Sequence, residues 1–144
     1  MKKKKRISLL IMLLIFISGV SLSGCATYDE MAGSIFSPPE VTMTSPAANQ
    51  TNVSVNTTVK ASFNEAMNPL SFNTNTFKLY GPKGEVNGKV YYNPNSLASY
   101  IVTFTPYKSL KPNTTYTAEL TTGIKANLND PLKEAYKWRF TTGN

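Results

Sequence analysis

Few residue types in this sequence are suited to catalysis. The chain has no histidine, which is the commonest general base and metal ligand, and its single cysteine is Cys25. A Ser-His-Asp or Cys-His arrangement is therefore impossible. Acid–base catalysis would need a pair of carboxylates, but the acids after residue 39 lie on different turns and outward strand positions, and no pair is marked out. The sequence thus predicts that the protein is not an enzyme.

Two acids are candidate metal ligands. Glu65 lies in a crossover between Phe63 and Pro69, and Asp130 lies in the turn before the last predicted strand. Calcium takes carboxylate and carbonyl oxygens, so a site made of Glu65, Asp130 and loop carbonyls is one interpretation. The other interpretation, which we favour because no Asp-rich loop accompanies them, is that Glu65 caps neighbouring backbone amides. We therefore expect neither a metal nor another cofactor.

Two tyrosines are candidate ligand contacts. Tyr91 is expected to face outward because its neighbour Tyr92 faces inward, and Tyr107 lies in a loop. Exposed aromatic side chains can stack on sugar rings or anchor a protein partner. Scattered surface tyrosines are also ordinary in β-proteins, and we favour this simpler interpretation.

The N-terminal segment has the pattern of an export signal. Lys2–Arg6 is basic, Ile7–Val20 is mostly apolar, and small residues precede Cys25. A basic start, an apolar centre and small residues are typical of a secretory signal peptide. The apolar run is shorter than the ~20 residues of a membrane-spanning helix, which argues against a permanent span.

The end of this segment, Leu22-Ser23-Gly24-Cys25, resembles the lipobox of bacterial lipoproteins. The resemblance implies that the signal peptidase recognises Leu22, Ser23 and Gly24, and that the chain is cleaved before Cys25. It also implies that Cys25 carries a diacylglycerol and an N-acyl chain, so the membrane is a partner through this lipid anchor. Ala26, rather than Asp, follows the cysteine. This favours the outer membrane in a Gram-negative cell and otherwise the outer face of the plasma membrane.

Most of the net charge belongs to the signal peptide. Lys2–Arg6 holds five of the 15 basic residues, and no acid precedes Cys25. From Cys25 onward the chain has 10 basic and 8 acidic residues, a net charge of about +2. Because this charge is small and scattered along the chain, the sequence predicts no nucleic-acid partner.

Three regions follow from the pattern: a signal peptide over 1–24, a lipidated tether over 25–38, and a domain over 39–144. The tether shows no periodicity and would span at most ~50 Å when extended. The domain consists of short runs with alternating apolar residues, separated by turn residues. This pattern predicts an all-β sandwich of seven or eight antiparallel strands in two sheets.

Five fragments of the domain line up with one family. They are Asn52–Thr58, Phe63–Pro69, Val102–Pro106, Leu110–Tyr116 and Trp138–Thr142. Together they resemble the bacterial Ig-like domain of the S-layer (SbsA-like) type, which occurs as repeated modules in bacterial surface proteins. The resemblance covers about residues 39–143, and it implies an Ig-like sandwich with a structural rather than a catalytic role.

Two aromatic residues are expected to support this fold. Tyr116 has the position of a tyrosine corner, in which the hydroxyl bonds to a backbone group just upstream. Trp138, the only tryptophan, is expected in the core. Before the last strand, Ala126 and Asn129 stand where relatives often have Asp and Gly, although Asn can still adopt a left-handed turn conformation.

These features predict an exported, lipid-anchored and non-catalytic module of the bacterial cell envelope. It would serve adhesion, scaffolding or protein–protein interaction, and its partner would be an envelope protein or a cell-wall glycan. The alternative is a carbohydrate- or peptidoglycan-binding accessory domain that uses Tyr91 and Tyr107.

Overall fold

The computed structural model describes residues 37–94 and 100–144. The predicted signal peptide, the lipobox with Cys25 and all but the last two residues of the tether lie outside these described residues. Within them the chain forms nine strands and one short 3-10 helix, Pro69–Ser71. The strands are β1 (Val41–Ser45), β2 (Gln50–Val53), β3 (Val59–Phe63), β4 (Phe77–Gly81), β5 (Gly84–Glu85), β6 (Gly88–Tyr92), β7 (Tyr100–Pro106), β8 (Thr115–Leu120) and β9 (Tyr136–Thr142).

The strands form two sheets, as the sequence predicted. One sheet has the order β1-β3-β7-β6 and the other has the order β2-β9-β8-β4-β5. The all-β sandwich is confirmed, with two differences in detail. The ninth strand is β5, which has only two residues and therefore no alternation to recognise. In addition, β2 runs parallel to β9, whereas all other pairs are antiparallel.

Alternating apolar residues make the core between the two sheets. In β3 the side chains of Val59, Ala61 and Phe63 are buried, and Lys60 between them is exposed. Successive strand residues point to opposite faces, so such a run places all its apolar side chains on one face. The aromatic rings meet across the sandwich: the Phe77 and Phe104 centroids are 5.6 Å apart.

The N-terminal residues of the described domain enter at one end of the sandwich. Glu40 N–H donates to Asn64 Oδ1 at 2.8 Å, and Asn64 N–H donates to Glu40 O at 3.1 Å. The loop after β3 is joined in turn to the loop after β8, because Asn68 N–H donates to Lys125 O at 2.9 Å. We call this region, made of residues 37–40 and loops 64–76 and 121–135, the tether end.

The opposite end contains the C-terminus and the loop between β7 and β8. Leu110 N–H donates to Val55 O at 2.8 Å, and Gly143 N–H donates to Val53 O at 2.9 Å. The turn between β4 and β5 is also here, since Gly81 lies against the ring of Tyr116. We call this region, made of loops 54–58 and 107–114, the β4–β5 turn and residues 143–144, the far end.

Candidate functional site

The loops that carry Glu65 and Asp130 are neighbours at the tether end. Asn127 N–H donates to Ala66 O at 3.1 Å, and Ala126 N–H donates to Asp130 O at 2.8 Å. Within residues 37–94 and 100–144, no group of three or more His, Cys, Asp or Glu side chains is placed to hold a metal ion. Calcium binding by this pair thus gains no support from a third acidic ligand.

Asparagine side chains of the crossover after β3 accept hydrogen bonds from backbone amides. Besides the Asn64 bond to Glu40, Asn68 Oδ1 accepts the N–H of Leu70 at 3.0 Å. In the second turn, Asn129 has a positive φ of 75°, the left-handed conformation expected for this position. These contacts give both loops a structural explanation that does not involve their carboxylates.

The two candidate tyrosines are exposed but lie apart. Tyr91 is on β6 opposite Thr103 and is 60% exposed, and Tyr107 follows β7 and is 71% exposed. The Tyr107 N–H donates to Asn87 O at 3.0 Å, which puts Tyr107 four strand positions from Tyr91. This corresponds to roughly 13 Å along the sheet. The fold therefore does not bring the two rings together as one clamp.

Four exposed lysines lie at or near the far end, and two of them, Lys108 and Lys111, line a hollow together with Tyr107. Lys108 and Lys111 are in the same loop, Lys83 is in the β4–β5 turn, and Lys89 is near the start of β6; all four are exposed. We call these four the far-end lysines. In the described part of the chain the ion pairs are Lys78–Glu85 at 3.5 Å and Lys137–Glu119 at 3.1 Å, so none of the far-end lysines is in an ion pair there.

The tether end has the opposite charge balance. Its acids are Glu40, Glu65, Asp130 and Glu134, and its basic side chains are Lys125 and Lys133. These charges are scattered along the sequence, and the two ends of the folded domain differ in net charge. Folding places Lys83, Lys108 and Lys111 at the far end and four of the acids at the tether end.

Hollows in the surface surround the Tyr107 ring. Two of them, of about 300 and 130 Å³, are lined by both Tyr107 and Lys108. A third, of about 350 Å³, is lined by Tyr107, Thr74 and residues 85–88, and it therefore includes the acid Glu85 and no lysine. The described surface thus has an exposed aromatic ring with free space on several sides and lysines next to it. Sequence reasoning identified Tyr107 but had no signal for its surroundings.

Tyr116 is buried beneath the loop that carries Tyr107 and holds that loop in place. Its hydroxyl accepts a hydrogen bond from the N–H of Lys111 at 2.8 Å, five residues upstream, which is the contact expected of a tyrosine corner. The ring is buried, and a Cβ on Gly81 would be 2.8 Å from its Cε1 atom, so only glycine fits there without a shift. The corner therefore fixes the loop that carries Tyr107, Lys108 and Lys111.

The Tyr116→Phe variant is expected to lower the free energy of unfolding by about 1–2 kcal/mol, because the Lys111 N–H loses its acceptor. Urea unfolding of the chain from Ala26 onward, followed by tryptophan fluorescence, measures this change. The matched control is Tyr91→Phe, which removes an exposed hydroxyl and should change stability by less than about 0.5 kcal/mol. Equal effects of the two substitutions would contradict the corner.

Trp138 lies in the core between the sheets. It is 3% exposed, and its Nε1–H donates to the carbonyl oxygen of Pro46 at 3.0 Å. Its ring centroid is 6.1 Å from that of Phe77. Trp138 thus both fills the core and ties the segment between β1 and β2 to β9.

Two packed sheets, of which one carries a tyrosine corner, define an immunoglobulin-like sandwich. The chain belongs to the bacterial Ig-like domain family, whose model matches residues 36–142. This confirms the family inferred from the five sequence fragments. None of the curated proteins compared with the chain matches it.

Solved structures share this fold at low sequence identity. Domains 1–6 of the surface layer protein SbsC are 16% identical with a TM-score of 0.56, over 79% of this chain and 15% of that one. CopC from Methylosinus trichosporium OB3b is 14% identical with a TM-score of 0.58, over 73% of this chain and 93% of that one. The LD transpeptidase LdtMt1, in complex with imipenem, is 18% identical with a TM-score of 0.50, over 73% of this chain and 40% of that one. These similarities show the fold alone.

The chain spans only 15% of the length of the SbsC chain it matches. Across residues 37–94 and 100–144, no helix reaches the length and apolar character needed to cross a membrane.

Proposed function

We propose that this protein is a non-catalytic module of the bacterial cell envelope, exported and held to a membrane by lipid on Cys25, that binds an envelope component through its far end. The observation that supports this most directly is the arrangement of the domain. The chain from Cys25 joins the sandwich at the tether end, and the exposed ring of Tyr107 with its lysines lies at the opposite end.

This arrangement suits an anchored binding module. A tether of residues 25–38 spans at most ~50 Å when extended, so it would keep the domain close to the membrane. The far end lies on the opposite side of the sandwich from residues 37–40, so the point where the chain enters the domain does not obstruct it. Acylation at one cysteine is sufficient for stable anchoring when more than one acyl chain is attached.

Relatives support an envelope location. The chain belongs to a bacterial Ig-like family, and domains of the surface layer protein SbsC have the same fold. The sequence offers no histidine and only one cysteine for catalysis, which favours a binding role. Adhesion and scaffolding are both served by a single binding surface of this kind.

Replacement of Cys25 tests the anchor. In cells supplied with an alkyne-labelled fatty acid, the wild-type chain should take up the label and lose residues 1–24, whereas Cys25→Ala should lose all labelling and remain uncleaved. Gel mobility and mass spectrometry of the purified chain measure both effects. Because Cys25 is the only cysteine, no other thiol can carry the label.

The control for this experiment is Thr27→Ala, which changes a nearby residue outside the lipobox and should leave labelling and cleavage as in the wild type. Membrane fractionation is less informative, since an uncleaved signal peptide would itself hold the chain to the membrane. A wild-type chain that takes up no label, or a Cys25→Ala chain that keeps it, contradicts the proposed anchor.

A further inference from the structure

We infer that the far end binds a polysaccharide that carries carboxylate groups, with Tyr107 stacked on a sugar ring and the far-end lysines paired with its charges. This inference adds the class of ligand to the proposed function. It rests on that function in one respect only, namely the direction in which the far end points. Binding itself does not require the lipid on Cys25, so the two can be tested separately.

The charge of the far end is the first observation. Lys83, Lys89, Lys108 and Lys111 are exposed, and none of them is in an ion pair within the described residues. The one acid close by, Glu85, already pairs with Lys78 at 3.5 Å. A group of unneutralised charges of one sign raises the local potential and attracts a ligand of the opposite charge. The ligand is therefore an anion.

The ring of Tyr107 is the second observation. A tyrosine ring has an apolar face and a polar hydroxyl, which suits a sugar ring with C–H groups on its face and hydroxyls at its edge. Tyr107 is 71% exposed, and hollows of about 300 and 130 Å³, both lined also by Lys108, adjoin it. These hollows leave room for the sugar units before and after the stacked one. The ligand is therefore a polymer of sugars.

The placement of the lysines favours carboxylates. They come from three separate segments, the β4–β5 turn, β6 and the β7–β8 loop, so each offers one charge at its own position. An arginine fork binds a carboxylate or a phosphate through two parallel hydrogen bonds, whereas a lysine acts as a single point charge. The only arginine after the signal peptide, Arg139, lies on β9 rather than in this group. Single charges at separate positions match a polymer with one carboxylate per sugar.

The tether end explains why binding is restricted to one end. Four acids and two lysines give it a net charge of about −2, which repels the same anionic polymer. Lys125 and Lys133 at that end therefore provide a matched comparison for Lys108 and Lys111. Both pairs of substitutions remove two positive charges, but only one pair removes them beside Tyr107.

The test uses the processed chain, purified in a neutral detergent, and immobilised polygalacturonate, with dextran and poly-glutamate supports for comparison. All variants are purified in the processed form, from which the proposed cleavage has removed the basic segment Lys2–Arg6, so differences between variants report on the domain. The Lys108→Gln/Lys111→Gln variant should raise the apparent Kd for polygalacturonate about five- to tenfold. The Lys125→Gln/Lys133→Gln variant should change it less than about twofold, because those charges are far from the bound polymer and screened.

Tyr107→Leu separates sugar recognition from charge. It should raise the apparent Kd for polygalacturonate about fivefold, through loss of stacking, and leave retention on poly-glutamate unchanged. Tyr91→Leu, the matched substitution at the other exposed ring, should leave both unchanged. Dextran, which has sugar rings without charge, should retain the chain weakly or not at all.

The remaining outcomes contradict the inference. Equal losses from the two lysine pairs would mean attraction by net charge alone. A lysine effect without a Tyr107 effect, seen equally on poly-glutamate, would indicate a site for an acidic protein. Stronger retention on single-stranded DNA than on polygalacturonate would indicate a nucleic-acid site. Absence of any difference among the variants on polygalacturonate would show that the far end does not bind it.

Discussion

Replacement of Phe104 by alanine is expected to lower the free energy of unfolding by about 3–5 kcal/mol, the range for a large side chain removed from a packed core. Phe104 is on β7, between β3 and β6, and it is 1% exposed. Its ring lies 5.6 Å from that of Phe77 in the other sheet. Both sheets therefore lose a contact when the ring is removed, and the surrounding strands are unable to close the cavity.

Urea unfolding of the chain from Ala26 onward, followed by tryptophan fluorescence, measures the effect of Phe104→Ala. The control is Tyr107→Ala, an aromatic truncation three residues away at an exposed site, which should change stability by less than about 0.5 kcal/mol. Similar losses from the two substitutions would mean that Phe104 does not occupy the core position that the structure gives it.

Trp138→Ala is the second substitution with a large expected effect, again about 3–5 kcal/mol. The indole contacts Phe77 and Tyr136, with centroid distances of 6.1 and 5.8 Å, and its Nε1–H donates to Pro46 O. Its removal therefore leaves a cavity and an unpaired buried carbonyl. Because this variant has no tryptophan, far-ultraviolet circular dichroism follows its unfolding.

Trp138→Phe divides this loss into its parts. It keeps most of the apolar volume but leaves the Pro46 carbonyl without its donor, so it should cost about 1–3 kcal/mol. Arg139→Ala, at the exposed neighbouring position, is the control and should change stability by less than about 0.5 kcal/mol. A Trp138→Phe variant as stable as the wild type would show that the hydrogen bond to Pro46 contributes nothing.

The strands and the core were predictable because they depend on local patterns. Alternation in runs such as Val59–Phe63 indicates both a strand and its buried face. The tyrosine corner was predictable for the same reason, since Tyr116 and its donor Lys111 lie five residues apart. Pairing between distant segments leaves no such local pattern. The parallel pairing of β2 with β9 joins Gln50 to Phe140, and nothing in either segment indicates the other.

Gly88 shows a further limit of sequence analysis. A Cβ on this residue would lie 2.5 Å from Cε1 of the Phe104 ring and 2.7 Å from the carbonyl oxygen of Thr105. Glycine is needed there because a ring from another strand packs directly on the backbone. The requirement arises from tertiary contact, so the sequence around Gly88 gives no sign of it.

The candidate site was predictable only in part. Exposure of Tyr91 and Tyr107 follows from local pattern, whereas their separation along the sheet follows from the register of β6 with β7. The placement of Lys83, Lys89 and Lys108 toward the same end of the sandwich depends on topology, because they belong to three separate segments of the chain. Charges that look dispersed along a sequence can therefore form one surface.

The placement of the first strand has a mechanical consequence. β1 begins at the tether end, runs toward the far end and pairs antiparallel with β3 over Val41–Ser45. A force between a membrane-held Cys25 and a ligand at the far end would pull β1 along its own axis. Hydrogen bonds between antiparallel strands are perpendicular to that axis, so they would be loaded in shear and share the load, rather than opening one after another. If the chain is held at these two points as proposed, β1 would resist tension through all of its hydrogen bonds to β3 at once.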